Sequence, residues 1–277
     1  GSGGAYRGLG RALDAVKAFD EAARLSPGNI DAFIQLGEAR LAREDHELAL
    51  RAFDQALEIF GGDAAGHRGR GDVLRAMGRK DQAVAAYHEA IEADPSDAAT
   101  LLSMGRCQLD MSKVHEAVVT LERAVAASPQ DPKARETLGY AYMSAGRHEE
   151  AAGALRMALK NGSTNPTTRY WLGAAYHHTG STAEAVTEYE AARAGGVEED
   201  GLLRALASLY DHGGRHEDAA RIYGEVLRKA PHDADVRFTL GVIRHKLGQA
   251  DRARQEYRAL RPLASKKAEA LYRLMHR

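Results

Sequence analysis

Small and bulky apolar residues return along this chain at one fixed stride. Ala15, Ala49, Ala83, Ala117, Ala151, Ala185, Ala219 and Ala253 each lie 34 residues after the last. A second register, Gly37, Gly71, Gly105, Gly139 and Gly173, continues through Ala207 to Gly241. A third runs Ala22, Ala56, Ala90, Ala124, Ala158, Ala192, Val226 and Leu260. A bulky fourth runs Phe19, Phe53, Tyr87, Leu121, Leu155, Tyr189, Tyr223 and Tyr257. Four registers that never slip describe an uninterrupted array, and a period of this size marks a repeat architecture.

One period, residues 132–165, predicts a helical hairpin. Asp131 suits an N-cap and Pro132 the first turn, where a missing N–H costs nothing. Leu138, Gly139 and Tyr142 share one face of the first helix. Gly146 ends it, because glycine accepts the left-handed conformation. A second helix begins near His148, with Ala151, Leu155 and Ala158 as its inner stripe, and Asn161-Gly162 stops it. Glycine and alanine at fixed sites let the two helices approach closely, and the bulky residue fills the gap that remains.

The motif Leu138-Gly139-x-x-Tyr142, then Ala151, Leu155 and Ala158, resembles the tetratricopeptide repeat. The next period reads Leu172-Gly173-x-x-Tyr176, Ala185, Tyr189, Ala192, and the repeat's terminal proline recurs as Pro27, Pro95, Pro129 and Pro231. Phe33 stands at the signature tryptophan place, whereas Trp171 falls two places late. The resemblance implies an all-α, right-handed superhelical solenoid of tandem helix–turn–helix repeats with a C-terminal capping helix. Residues 5–29 read as a partial repeat with an intact second helix near Arg11 to Leu25 and a stub of a first. Residues 30–261 read as seven repeats beginning near Ile30, Ala64, Ala98, Pro132, Pro166, Asp200 and Ala234. Residues 262–277, after Pro262 breaks the pattern, read as the cap, with a basic membrane-surface helix as the rival reading. Gly1-Ser2-Gly3 has the look of a cloning scar.

In that family the first helices line a concave face, and places 2, 5, 9, 12 and 13 of each repeat usually face the groove. The resemblance therefore implies partner-binding positions at Arg68, Arg75, Leu102, Arg106, Tyr140, Met143, Tyr170, His177, Arg204 and Phe238. Beside them stand Asp72, His178, Asp211, His212, Val242, His245 and Lys246. Tyrosine, methionine and arginine are favoured in protein interface cores, so the expected partner is a protein or peptide segment lying along the groove. Self-association through the N-terminal edge, or an adaptor role in a bacterial polarity, pilus or secretion complex, are the alternatives. A lysine, arginine and asparagine clamp for an acidic C-terminal tail, known in some members, would fall on Arg68, Asp72, Ser103, Lys133 and Thr137; both asparagines are absent and Asp72 would repel a carboxylate, which argues against that partner class.

Composition narrows the chemistry. Lys plus Arg number 38 and Asp plus Glu 39, for a net charge of −1, so there is no overall basic excess to hold duplex nucleic acid. No run of apolar residues is long enough to insert in a membrane. Cys107 is the single cysteine, which excludes an internal disulfide and a cysteine-based zinc site; it reads as a small buried residue. Among 12 histidines, His177, His178, His212 and His245 close first helices and suggest pH sensitivity more than a metal site. His46, His148 and His216 open second helices as packing residues. Phosphate-binding and dinucleotide-binding glycine loops, two-histidine zinc motifs and a nucleophile elbow are missing. The sequence thus predicts no catalytic residue, no cofactor and no metal. The expected location is cytoplasmic, or periplasmic if a signal sequence has been removed.

Overall fold

The computed structural model describes residues 2–276, with side chains from Leu13 to His276. Its described residues form sixteen α-helices and no strand. After α1 (Ser2–Leu25) come α2 (Ile30–Leu41), α3 (His46–Ile59), α4 (Ala64–Ala76), α5 (Lys80–Ala93), α6 (Ala98–Asp110), α7 (Val114–Ala127) and α8 (Pro132–Ser144). Then follow α9 (His148–Lys160), α10 (Pro166–His178), α11 (Thr182–Ala194), α12 (Asp200–His212), α13 (His216–Lys229), α14 (Ala234–Lys246), α15 (Ala250–Leu260) and α16 (Ser265–Met275). The chain forms two compact units, residues 1–147 and 148–277. Within each, helices pack as antiparallel helix–turn–helix pairs, as in a tetratricopeptide solenoid. α1 runs unbroken from Ser2 to Leu25: the residues before Arg11 lengthen one helix and do not turn back as a separate stub.

The repeat boundaries follow from backbone chemistry. A helix leaves its first N–H groups without partners, and a short polar side chain just ahead of it accepts from them. Asn29, Asp63, Asp97, Asp131, Asn165 and Asp233 do this for α2, α4, α6, α8, α10 and α14. Glu199, at the same place before α12, makes no such bond. The turn between paired helices rests on one left-handed residue: Gly78, Gly146, Gly180, Gly214 and Gly248, with Glu44 and Ser112 at the same interval.

Packing explains the glycine register. A Cβ at Gly37 would lie 2.7 Å from the Phe53 ring, and one at Gly71 would lie 2.6 Å from Tyr87. Gly105 meets Leu121 and Gly173 meets Tyr189 in the same way. The sequence registers did not single out Gly69, yet a Cβ there would overlap Phe53 from α4. Phe53 is thus pressed between the backbones of α2 and α4 and is fully buried. In the last pair the glycine faces elsewhere: Gly241 abuts Leu271 of α16. There Ala268 and Leu271 pack with Leu260, against Phe238, Val242 and Tyr257.

One polar device recurs where a second helix meets the next first helix. The Tyr142 hydroxyl of α8 donates to Glu122 of α7 at 2.7 Å, with the Arg147 guanidinium 4.4 Å over the tyrosine ring. Two periods later the Tyr210 hydroxyl donates to Glu190 at 2.6 Å, with Arg215 4.1 Å over its ring and 3.3 Å from the same carboxylate. Burial, then the Glu190 hydrogen bond, push the Tyr210 hydroxyl up to about 12.

Candidate functional site

The first helices of each unit carry the sequence-predicted groove positions, and the structure sorts them into three kinds. Arg68 and Arg204 are committed to the scaffold. Arg68 pairs with Asp97 at 3.1 Å and Arg204 with Asp233 at 2.7 Å, in each case the cap of the next first helix. Burial opposes ionisation of both caps. Hydrogen bonds from Thr100 and Arg68 to Asp97, and from the Val236 N–H and Arg204 to Asp233, nevertheless hold these carboxyls below the usual range. The signal was present in the sequence, since both repeats set Arg and Asp 29 residues apart. Arg75 joins a similar network. It lies 3.7 Å from Asp110, beside Tyr87, whose hydroxyl donates to Asp72 at 2.7 Å. Burial, then Asp72, raise the Tyr87 hydroxyl well above its ordinary value.

Leu102 is only 8% exposed. A leucine at this edge place gains more by folding into the helix interface than by facing water, whereas the long arginines at the same place reach out to a carboxylate. Phe238 is half-buried and packs, with Val242, toward the α16 cluster. Tyr170 is half-buried too. Its ring lies 4.9 Å from Trp171 and 6.1 Å from Tyr189, and its hydroxyl would stand 3.2 Å from a Cβ at Gly201.

Side chains left open form the third kind. In the first unit, Arg106 on α6 is exposed and makes a long 3.5 Å bond to Thr137 of α8. On α8, Tyr140 is 41% exposed and Met143 is half-exposed. Arg106 and Tyr140 occupy the same repeat place on adjoining helices. In the second unit, His177 is exposed, with its ring 6.3 Å from Tyr189.

Histidines gather at one end of α10. His178 stacks on His148 of α9, with centroids 4.2 Å apart and planes 8° from parallel, and His177 lies 6.2 Å away. His148, read from sequence as a packing residue, does pack, but on another imidazole. Among the described residues no group of three or more His, Cys, Asp or Glu could hold a metal ion. Burial, then the His148 and His177 imidazoles, hold His178 below the usual histidine range. The unfolded chain therefore takes up this proton first. The stability from the neutral stack is full above about pH 6.5 and is lost as pH falls below that value toward the folded pKa. His178→Phe is expected to flatten the acid limb of a Tm-against-pH profile. Parallel profiles for the two proteins would contradict this.

Farther along, Asp211 of α12 binds His216 at 2.8 Å and Lys246 of α14 at 3.2 Å, and His212 lies 2.8 Å from the Ser208 carbonyl. No helix among the described residues is long and apolar enough to cross a membrane.

The chain matches family profiles described as tetratricopeptide repeat over residues 2–64, 34–98, 68–110 and 102–166, and again over 213–276. Solved structures with the same fold include pilF of Pseudomonas aeruginosa, at 22% identity and a TM-score of 0.65, over 77% of this chain and 94% of that one. YrrB, described as a tetratricopeptide protein with an unusual peptide-binding site, matches at 21% identity and a TM-score of 0.57, over 70% of this chain and 98% of that one. MamA matches at 25% identity and a TM-score of 0.54, over 60% and 96%. No curated protein matches in sequence. The profiles span well over half of the residues, in register with the caps, turns and packing glycines of the structure, and the chain belongs to the tetratricopeptide repeat family.

Proposed function

We propose that this protein is a protein-interaction scaffold that holds an extended or helical partner segment along its first helices, with Arg106, Tyr140 and Met143 as the anchoring patch. The observation that carries this reading is the contrast on α6 and α8. Their packing places, among them Leu101, Met104 and Leu138, are closed, while Arg106 and Tyr140 stand open on adjoining helices. Tyrosine and arginine dominate interface hot spots, and methionine is enriched in interface cores. The family's general role in protein interaction and the peptide site named for YrrB support it as analogy.

The test compares capture by the unaltered chain and by an Arg106→Ala/Tyr140→Ala variant whose helicity is checked by circular dichroism. Hot-spot truncation costs about 2 kcal/mol or more, roughly a thirtyfold loss of affinity. Loss of one discrete set of bound proteins is expected. Equal recovery of every bound protein by a folded variant removes the patch from the binding surface.

A further inference from the structure

The tyrosine–glutamate–arginine device is not complete at every such interface: Arg156 stands at the glutamate place before Tyr176, and at the α13–α14 interface all three residues are replaced. Where α7 carries Glu122 and α11 carries Glu190, α13 carries Gly224, 34 residues after Glu190. Arg244 of α14 stands at the tyrosine place, and Gln249 at the place of Arg147 and Arg215. The carboxylate is gone and nothing fills its room, because a Cβ at Gly224 would meet no atom within 4 Å. A glycine inside a helix is destabilising relative to alanine. At Gly71 or Gly173 a ring pressed on the backbone explains it; at Gly224 no neighbour does.

The room left behind is a cleft of about 410 Å³, walled by Arg221, Arg228, Arg244 and Arg252. Gln249 and Glu217 also line it, so the charged side chains of the lining carry a net +3. Two of the guanidinium groups are anchored: Arg244 by Glu256 at 2.6 Å and Arg221 by Asp218 at 3.0 Å. Among the described residues the other two carry no carboxylate partner. Arg252 reaches only the Gln249 amide oxygen at 3.4 Å. No ion pair is found for Arg228 among the described residues. The surrounding field has the same sign. Residues 221–277 hold 14 Lys and Arg against 6 Asp and Glu, a net +8 in a chain whose total is −1, and such a local excess draws anions in.

We propose that this cleft binds a phosphoryl group, an oxyanion supplied from outside where Glu122 at the α7–α8 interface and Glu190 at the α11–α12 interface supply one from within. Guanidinium forks match phosphoryl oxygens with paired, charge-assisted hydrogen bonds. The size of the cleft, in the range of small-ligand sites of about 300–1,000 Å³, and its lining charge suit a multiply charged phosphoryl ligand better than one carboxylate.

The experiment uses the full chain and three probes: sodium tripolyphosphate, inorganic phosphate and a phosphoserine peptide. Each is titrated calorimetrically and by thermal melt against sodium chloride of equal ionic strength. Tripolyphosphate or the phosphopeptide is expected to raise Tm beyond the chloride control. Arg228→Gln/Arg252→Gln, which alters two exposed side chains, is expected to weaken binding by at least about tenfold, the loss of one charge-assisted bond. Gly224→Glu restores the internal carboxylate, so it is expected to melt higher without ligand and to respond to none. Response to the peptide alone assigns the phosphoryl group to a partner chain, and response to tripolyphosphate or phosphate assigns it to a free solute. A wild-type response no larger than that to chloride, or an undiminished response in the folded double glutamine variant, overturns the proposal.

Discussion

Phe53→Ala is expected to destabilise the first compact unit by about 3–5 kcal/mol, at the upper end for core truncations. The reason is geometric. The ring lies between Gly37 and Gly69, which have no side chains to swing into the vacated space, and the cavity remains unless two helices move together. Ala49, Ala56, Val73 and Ile34 complete its surroundings, and the alanines are too short to reach across. Stability in a repeat array is a sum of local terms. Hydrogen exchange should therefore accelerate first in α2, α3 and α4, while urea melts show an early transition. Phe53→Leu, which keeps most of the volume, should cost much less. A loss below about 1 kcal/mol for the alanine variant would show that the helices close over the gap.

Glu256→Ala is expected to cost a similar about 3–5 kcal/mol, by a different mechanism. The Glu256 side chain is 8% exposed and holds Arg237 at 2.8 Å and Arg244 at 2.6 Å. Removing it strands two guanidinium groups, each only 20% exposed, with no other carboxylate against them among the described residues. Exposed pairs such as Arg254–Asp251 are worth little and fade with salt. Melting the Glu256 variant in low and high salt separates the cases: its deficit should persist in high salt. A deficit that salt abolishes would mean that solvent already reaches this triad.

Much of this architecture was legible because close packing is written in residue size. Only glycine fits where Gly37, Gly71, Gly105 and Gly173 meet a bulky side chain, so their interval in the sequence is a contact map of each hairpin. Helix starts at Asp131 and Pro132 and the stop at Gly146 were legible for the same steric and hydrogen-bonding reasons. Glu44 and Ser112 were not legible as left-handed turn residues, because only their position in the series, and not their chemistry, marks them. The candidate groove was harder to read. A repeat place fixes where a side chain starts but not where it ends. At place 5, Leu102 turns inward, Phe238 leans on α16, and Arg68 and Arg204 extend to a neighbouring cap. Length and polarity decide among these, and the partner carboxylates lie in another repeat. The stacking of His148 on His178 joins two repeats in the same way.

The series of left-handed turn residues also bears on how such a chain can change over generations. They sit one period apart, from Glu44 to Gly248, so any 34-residue segment begins and ends at equivalent backbone geometry. Deleting or duplicating one such segment creates a junction already present elsewhere in the protein. Insertions of other lengths would strand a turn residue inside a helix. Unequal crossing-over between similar coding segments can therefore alter the number of hairpins in whole units, and binding positions are gained or lost a hairpin at a time.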